Sequence, residues 1–373
     1  TLNRLMLGRK IRVVEGTGVG YNGAIESNTL GANATITVTP ANAVAFDATT
    51  KFQYYGGSLW FMNAGTVAVG FAVYDLSTNA WTQRSVTGLP TAWGTEGRLV
   101  STIGSAGSFA TGTATGGTST TISNSAKAWG ADMWKNFQVR ISAGTGIGQI
   151  RSISTNNGTS LTVSSAWTIT PDATSQYSIE GNDDYMYLAG NNAVTLYRFQ
   201  VSTNTWSTIT PTAARAGAAA AGFSMNWLDS VEGWSNETLV SHTQSNTIYK
   251  QNGRYILSFR GGASNTIDIF DISAATWISA IPYGNQMETF TTGSSSFDFG
   301  GYIYIQKEAT GRIFKFNIKE WVLQSFAATP LAQGTVVAGQ KMFMLPFTDG
   351  VTNINFLYTQ RHTGNELYRI MVI

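Results

Sequence analysis

The sequence predicts an all-β fold built from repeated antiparallel hairpins, and three observations support this prediction. Short apolar and aromatic runs of alternating polarity recur along the 373 residues, separated by Gly or Asn. No long segment carries the 3.6-residue period of an amphipathic helix. Only 12% of residues are charged, about half the usual share, so Ser, Thr and Asn supply the polarity. This composition, with 40 Gly, suits strands joined by tight turns.

One unit of the chain is duplicated. Residues 12–20 match residues 140–148 at an offset of 128, and after a three-residue deletion the offset becomes 125. Along this second offset, Asp47 aligns with Asp172. The first half of each unit is rich in Gly, Ser and Thr and predicts a small β module. The first copy corresponds to only part of the second, because it lacks the opening Thr-rich hairpin.

The second half of the unit recurs further along the chain. Each copy has an aromatic strand, a small-residue turn, a second strand and a short loop ending in Trp. The last two of these Trp lie 44 residues apart, a spacing typical of propeller blades, and a weaker fifth copy follows over residues 341–358. Recurrence in register predicts that the repeated Trp side chains are buried between blades and structurally equivalent. These repeat positions are Trp81, Trp206, Trp277 and Trp321.

The blade pattern resembles the kelch family of β-propellers. Residues 254–262 form an apolar strand ending in a Gly pair, residues 269–272 form a second strand, and Trp277 follows a short turn. Other copies depart from the family pattern, since Ala64-Gly65 and Gln306-Lys307 stand where the Gly pair belongs. The resemblance implies a kelch-like propeller of about five to six blades. It implies no particular activity, because propellers serve many functions.

The other half-unit resembles a small β module found in structural and tail-associated proteins of tailed bacteriophages. The resemblance covers the second copy and most of the first, and it implies a virion protein. The segments that carry it are residues 117–122, 138–141, 144–149, 160–163 and 171–177.

Four regions are therefore predicted, with the second module projecting from the propeller between two blades. They are a first β module at 1–50, a blade region at 51–106, a second, inserted β module at 107–180, and the remaining blades at 181–373.

Composition argues against several classes of function. The net charge is +2 and the cations are not clustered, which argues against a nucleic-acid partner. The chain has no Cys and only two His, His242 and His362, so thiolate chemistry and a three-His metal site are excluded. No apolar run approaches the length of a membrane span, and residues 1–20 do not resemble an export signal. We expect no catalytic residues, no metal and no cofactor.

Two Gly-rich turns superficially resemble phosphate-binding loops. A dinucleotide fingerprint needs a helix after the glycines, whereas the β-like residues 149–153 follow the second turn, so hairpin turns are favoured. We expect these turns to be candidate contacts for assembly; passive decoration is the alternative. The glycines concerned are Gly16, Gly18, Gly20, Gly144, Gly146 and Gly148.

Among the tryptophans outside the repeat positions, the candidates for stacking on a glycan are Trp93, Trp227 and Trp234. The carboxylates Asp47, Asp172 and Asp183-Asp184 have no spacing typical of a glycosidase or a calcium loop. Turn-capping roles are favoured for them, because Asp in turns most often binds nearby backbone amides.

The favoured function is a non-enzymatic structural or adaptor protein of a bacteriophage virion, tail or neck associated, acting as a homo-oligomer through contacts with other virion proteins. The alternative is a propeller of the same particle that binds a host surface glycan. A propeller hydrolase or oxidase has least support, because no nucleophile, base or metal set can be nominated.

Overall fold

The described part of the chain is all-β, as the sequence predicts. Its residues form strands and turns and no α-helix, and none of them belongs to a helix able to cross a membrane. The computed structural model describes residues 9–28, 35–39, 41, 44–56, 58–63, 70–75, 80–91, 97–102, 108–190, 193–220, 223–234, 241, 248–262, 264–282, 288–291, 294–299, 301–307, 310, 312–328, 342–348, 353–360 and 367–372.

The first module is a four-stranded antiparallel sheet with the spatial order β3-β2-β1-β4. The first blade follows it as a three-stranded meander. The strands of the module are β1 (Arg9–Glu15), β2 (Asn22–Asn28), β3 (Ile36–Thr39) and β4 (Lys51–Gly56). Those of the blade are β5 (Ser58–Asn63), β6 (Gly70–Asp75) and β7 (Ala80–Gln83).

The second module lies inside the second blade. The blade opens with β8 (Gly97–Ser101), and the chain then leaves it to form a seven-stranded sheet of order β10-β11-β14-β13-β12-β15-β9. The strands of that sheet are β9 (Ser108–Thr113), β10 (Gly116–Thr118), β11 (Thr121–Ser123), β12 (Gln138–Ala143), β13 (Ile150–Asn156), β14 (Ser160–Val163) and β15 (Gln176–Glu180).

The chain then returns to pair β16 (Tyr185–Gly190) with β8, and β17 (Leu196–Gln200) and β18 (Thr205–Ile209) complete the blade. The prediction that the module lies between two blades is therefore wrong in this detail. The hydrogen bonds between β8 and β16 close the blade across the insertion, and this long-range pairing leaves no local signal in the sequence.

Three further antiparallel sheets follow in chain order, which makes five blades in the described residues. The third blade has strands β19 (Asn226–Trp227), β20 (Tyr255–Phe259), β21 (Thr266–Asp271) and β22 (Thr276–Pro282). The fourth has β23 (Ser295–Phe299), β24 (Tyr302–Gln306), β25 (Arg312–Asn317) and β26 (Val322–Ala328). The fifth has β27 (Met342–Thr348), β28 (Asn353–Gln360) and β29 (Leu367–Val372).

The first strands of successive blades contact one another in order: β5 with β8, β8 with β19, β19 with β23, and β23 with β27. Strands grouped in this way around a common axis define a β-propeller-like arrangement. Arg98 on β8 links this strand to the segments that precede β19 and β23. Its guanidinium donates to the carbonyl oxygens of Phe223 and Ser294, at 2.9 and 3.2 Å.

The structure repeats the duplication strand by strand. Strand β1 pairs with β4 through a β-bulge between Val13 and Glu15, and β12 pairs with β15 through a bulge between Ile141 and Ala143. These bulges fall at aligned positions of the two copies, so the duplication extends to an irregularity of the ladder.

The second module does not project from the blades as the sequence analysis predicts. One continuous apolar core runs from the module into the second and third blades. Phe109 of the module meets Trp227 of the third blade edge to face, with ring centroids 6.0 Å apart. The Met133 carbonyl accepts hydrogen bonds from Gln251 and Ser273 of the third blade, at 3.2 and 3.0 Å. The module is therefore part of the folded body.

Candidate functional site: the junction of the two modules

Both Gly-rich segments are hairpin turns, as predicted. Residues 16–20 join β1 to β2 and residues 144–148 join β12 to β13, and the three glycines of each turn have φ between 73° and 87°. A Cβ on Gly16 would lie 2.0 Å from the Thr49 carbonyl oxygen, and one on Gly144 would lie 2.0 Å from that of Thr174. Only glycine fits these two positions.

A hydrogen-bonded box of Thr and Asp fastens each turn. Thr17 Oγ1 donates to Asp47 Oδ2 at 2.6 Å, and the Thr49 amide donates to Asp47 Oδ1 at 2.8 Å. The hydrogen bond from Thr17, followed by those from Thr49, lowers the pKa of Asp47. The second copy has the same arrangement, with Asp172 bound by Thr145 and Thr174. The prediction of turn roles for these two carboxylates is confirmed.

The two modules meet through a buried carboxylate. Arg12 of the first module and Arg140 of the second occupy aligned positions, and both bind Glu180. The Arg140 Nε to Glu180 Oε1 distance is 3.3 Å, and Gln138 and Ser178 also donate to this carboxylate. Burial raises the pKa of Glu180, but the two guanidiniums and the hydrogen bonds outweigh burial and hold it below its usual value.

A polar groove of about 610 Å³ lies beside this ion pair. Its floor is formed by neighbouring strands of the second module, where Ser178 faces Thr111 and Gln176 faces Thr113 across the ladder. The turn of the first module around Gly20 forms part of its wall. Among the described residues that line this groove there is no Asp, Glu, Lys, Arg or His, and the polar groups they present are neutral hydroxyls and amides.

Three of the four repeat tryptophans are buried, and one is not. Trp206, Trp277 and Trp321 have at most 7% of their surface exposed, whereas Trp81 is 58% exposed. Trp206 packs on Phe71 of the first blade at 5.1 Å and donates from Nε1 to the Ser85 carbonyl. The prediction that Trp81 is buried is wrong, because burial of a repeat Trp depends on a neighbouring blade, as Trp206 on Phe71 shows.

Two of the three candidate glycan-stacking tryptophans are core residues. Trp227 and Trp234 are buried, and Trp227 donates from Nε1 to the Gly253 carbonyl at 2.8 Å. Both therefore act as core residues and not as ligand contacts. Trp93, His242 and His362 lie outside the described residues.

Residues able to hold a metal are not clustered in the part of the chain that the structure describes, where no three His, Cys, Asp or Glu come together. Asp184 holds a turn, since its Oδ1 accepts from the Ser202 amide at 2.6 Å and its Oδ2 from Gln200 Nε2 at 2.8 Å.

Sequence reasoning missed the buried ion pairs. Asp268 is fully buried between Arg215 and Arg260, at 2.7 and 2.5 Å, and Arg254 binds Asp271 at 2.8 Å. One signal was available for Glu180. It stands where the first copy has Tyr55, although the aligned arginines are kept in both copies. A charge present in only one of two repeats indicates a contact that only one repeat makes.

Comparisons with known proteins find solved structures of low similarity. No family model matches the chain, and no curated protein matches it. Among solved structures, U3-55K and the WD40 repeats of RRP9 are each 9% identical, with TM-scores of 0.27 and 0.26 over 50% of this chain and 48% of theirs. The chain thus spans about half the length of these two proteins.

An auxiliary nutrient binding protein from Bacteroides thetaiotaomicron is 10% identical, with a TM-score of 0.30 over 98% of this chain and 90% of that one. Similarity this low carries no inference about activity. The class of protein rests instead on the sheet order of the chain itself, which is all-β and propeller-like.

Proposed function

We propose that this protein is a non-enzymatic structural or adaptor component of a tailed-bacteriophage virion, associated with the tail or neck, that acts through subunit contacts. The observation that carries the proposal is the duplicated module, which resembles those of phage structural proteins and whose two copies are joined into one body. In this proposal the blades are of the kelch type and form the rigid base.

The rigidity of the junction supports an adaptor role. The charges of Arg140 and Glu180 are buried, that of Arg12 is nearly so, and breaking a buried ion pair is strongly destabilising. The second module also shares its core with two blades. Modules held in this way keep a fixed orientation, which a subunit that transmits position within an assembly requires.

The buried charges also suit a structural role better than a catalytic one. Glu180, Asp268 and Asp271 are each paired with at least one guanidinium. These three carboxylates are buried, whereas a general acid or base needs access to its substrate. The proposal therefore includes no catalytic residue and no cofactor.

Mass spectrometry of purified particles from the source tests the proposed function. The chain should be present at a fixed ratio to the other virion proteins through successive purification steps. Its absence from intact particles would contradict the proposal, whatever the purified protein does in solution.

A second candidate function is glycan binding, and the polar groove at the junction favours it. Hydroxyl and amide groups on a preformed sheet can exchange hydrogen bonds with sugar hydroxyls, and the volume is within the range of ligand sites. A glycan array with the full chain tests this candidate. Binding that Gln176→Ala weakens and the exposed control Ser165→Ala does not would support it, and an array without signal would remove it.

A further inference from the structure

A small cavity of about 210 Å³ lies between the second and third blades, beside the second module. Two buried aromatic residues from facing blades, Tyr187 on β16 and Phe270 on β21, line it, with ring centroids 6.1 Å apart. Ser207, Thr208 and Thr210 also line it, and all three are exposed. The cavity therefore has an apolar wall, a rim of hydroxyl groups and access from solvent.

Arg198 is the only charged residue among the described residues that line this cavity. Strand β17 pairs Arg198 with Tyr187 on one side and with Ser207 on the other, so the three side chains lie on the same face of the second blade. The guanidinium carbon of Arg198 lies 4.3 Å from the centroid of the Tyr185 ring. This cation–π contact uses the face of the guanidinium and leaves the N–H groups at its edge able to donate.

The second module adds an amide to this cation. Asn136 has a φ of 67°, a left-handed conformation that asparagine tolerates. Its Nδ2 donates to the Ile272 carbonyl oxygen of the third blade at 2.8 Å, and its Oδ1 accepts from Arg198 Nη1 at 3.5 Å. The first hydrogen bond fixes the amide, and the second is too long to be strong. The polar end of the cavity is therefore preformed, and the guanidinium keeps donors for a ligand.

Other arginines of the blades have a carboxylate partner. Arg215 and Arg260 bind Asp268, and Arg254 binds Asp271. By contrast, no Asp or Glu is among the described residues that line the cavity with Arg198. A cation that faces a cavity of neutral groups attracts an anion, because its field is not cancelled locally.

The fourth blade shows which part of this arrangement belongs to the repeat. At the corresponding positions of β24 and β25, Lys315 Nζ lies 3.8 Å from the centroid of the Tyr302 ring. The stacked cation is thus a feature of the blade pattern. In the second blade, the inserted module brings Asn136 against it and completes a cavity.

We propose that this cavity binds a small hydroxylated carboxylate, of the chemical class of a sugar acid. One guanidinium can bind a carboxylate through two parallel hydrogen bonds, and the single charges match. The hydroxyl groups of the rim can bind those of the ligand, and the ring of Tyr187 can pack on its carbon skeleton. The cavity is smaller than the roughly 300 Å³ at which sites for drug-sized ligands begin, which limits the ligand to about one sugar ring.

This site is distinct from the polar groove at the junction of the modules, with which it shares no described lining residue. Its occupancy does not depend on the proposed function, because binding is measured on the purified full chain and the proposed function is tested on particles.

Isothermal titration calorimetry of the full chain with sodium glucuronate, glucose and inorganic phosphate tests the class of ligand. Glucuronate should bind at one site. Glucose, which lacks the carboxylate, and phosphate, which lacks the sugar ring, should each bind about tenfold more weakly or less. Absence of glucuronate binding at millimolar concentration would overturn the proposal, and so would equal binding of glucose or of phosphate.

Two variants at one exposed rim position test the location of the site. Ser207→Asp places a carboxylate beside Arg198 and should weaken glucuronate binding by about tenfold or more. Ser207→Asn has nearly the same shape without the charge and should bind as the wild type does. Arg198→Gln should also lose binding, whereas the matched control Lys315→Gln in the fourth blade should keep it.

Circular dichroism should show that the two Ser207 variants fold, since this side chain is exposed. Wild-type affinity in Ser207→Asp or in Arg198→Gln would overturn the assignment of the site. Equal losses in Ser207→Asp and Ser207→Asn would also overturn it, because charge would then not be what the ligand recognises.

Discussion

The first and second blades carry the same sequence pattern 125 residues apart, yet their tryptophans have opposite environments. Trp81 and Trp206 end aligned segments, and each lies beside an aromatic side chain of its own sheet, Tyr74 or Phe199. Trp206 is buried because the first blade lies against it, whereas Trp81 faces solvent. Burial of a repeat residue is therefore a property of the interface between two blades, and the residue's own strand does not determine it.

The charged residues of the two modules also depend on an interface between repeated units. Their Gly turns, Thr-Asp boxes and β-bulges are nearly superimposable in pattern. Only the second module supplies Glu180, and both aligned arginines converge on it. Because Glu180 is present in only one copy, the two aligned arginines form an asymmetric junction between the modules.

The largest expected effect on stability comes from removing the second module. Its sheet has seven strands, whereas that of the first module has four. Replacing residues 107–180 with a short Gly-Ser linker should prevent stable folding of the second and third blades. Their shared core would lose Phe109 and its neighbours, and Trp227 would be uncovered. Circular dichroism with thermal melting measures this. A cooperative transition at the wild-type temperature would show that the module is an independent appendage after all.

Truncating the two aligned tryptophans compares the blades directly. Trp206→Ala should lower the free energy of unfolding by roughly 3–5 kcal/mol, through lost burial and a residual cavity. Trp81→Ala should lower it by about 1 kcal/mol, since the ring is 58% exposed but contacts Phe61 and Tyr74. Urea denaturation of both variants provides the comparison. Similar losses at the two positions would mean that Trp81 is buried in solution.

The variant Glu180→Gln tests the ion pairs that join the two modules. At neutral pH Glu180→Gln should lower the free energy of unfolding by roughly 3–5 kcal/mol, because it removes the buried carboxylate charge that both guanidiniums face. The pKa of Glu180 is lowered on folding, so its stabilisation is present above the ordinary pKa and disappears as pH falls through the folded value. The difference between variant and wild type should therefore shrink in acid. A constant difference from neutral to acid pH would argue against an ionised Glu180.

The smallest expected difference in stability is between substitutions at two glycines of the turn at residues 144–148. Gly148→Ala should cost about 1–2 kcal/mol, because its φ of 83° is unfavourable for alanine although the space around it is open. Gly144→Ala should cost more, since its Cβ would collide with the Thr174 carbonyl oxygen. Thermal melts of the two variants measure the difference. Equal losses would mean that the turn moves away from the Asp172 box without penalty.

Much of the fold could be predicted from the sequence because its signals are local. Period-two alternation, Gly-rich turns and the recurrence of Trp after paired strands each involve neighbouring residues, and they predict hairpins in register. The turn roles of Asp47 and Asp172 follow from the same kind of information, since an Asp in a turn caps the amide two residues on.

The candidate site was less predictable. The groove at the junction brings together strands of one module and a turn of the other, and its hydroxyl groups resemble the many other Ser and Thr of the chain. Trp227 and Trp234 were candidates for ligand contact because they fall outside the repeat, yet they fill the core. For Trp227 the reason is that the inserted second module creates an additional interface, where Phe109 meets it.

The sequence by itself determined the all-β class, the duplicated unit, the hairpin turns with their obligatory glycines, and the blade repeat. These depend on backbone geometry and on side-chain periodicity, which act over a few residues. Only the tertiary structure decided that the second module lies within a blade and shares its core, that Arg12 and Arg140 converge on Glu180, and that Trp81 is exposed. These outcomes depend on which surfaces meet, and burial and desolvation act only where two distant segments come into contact.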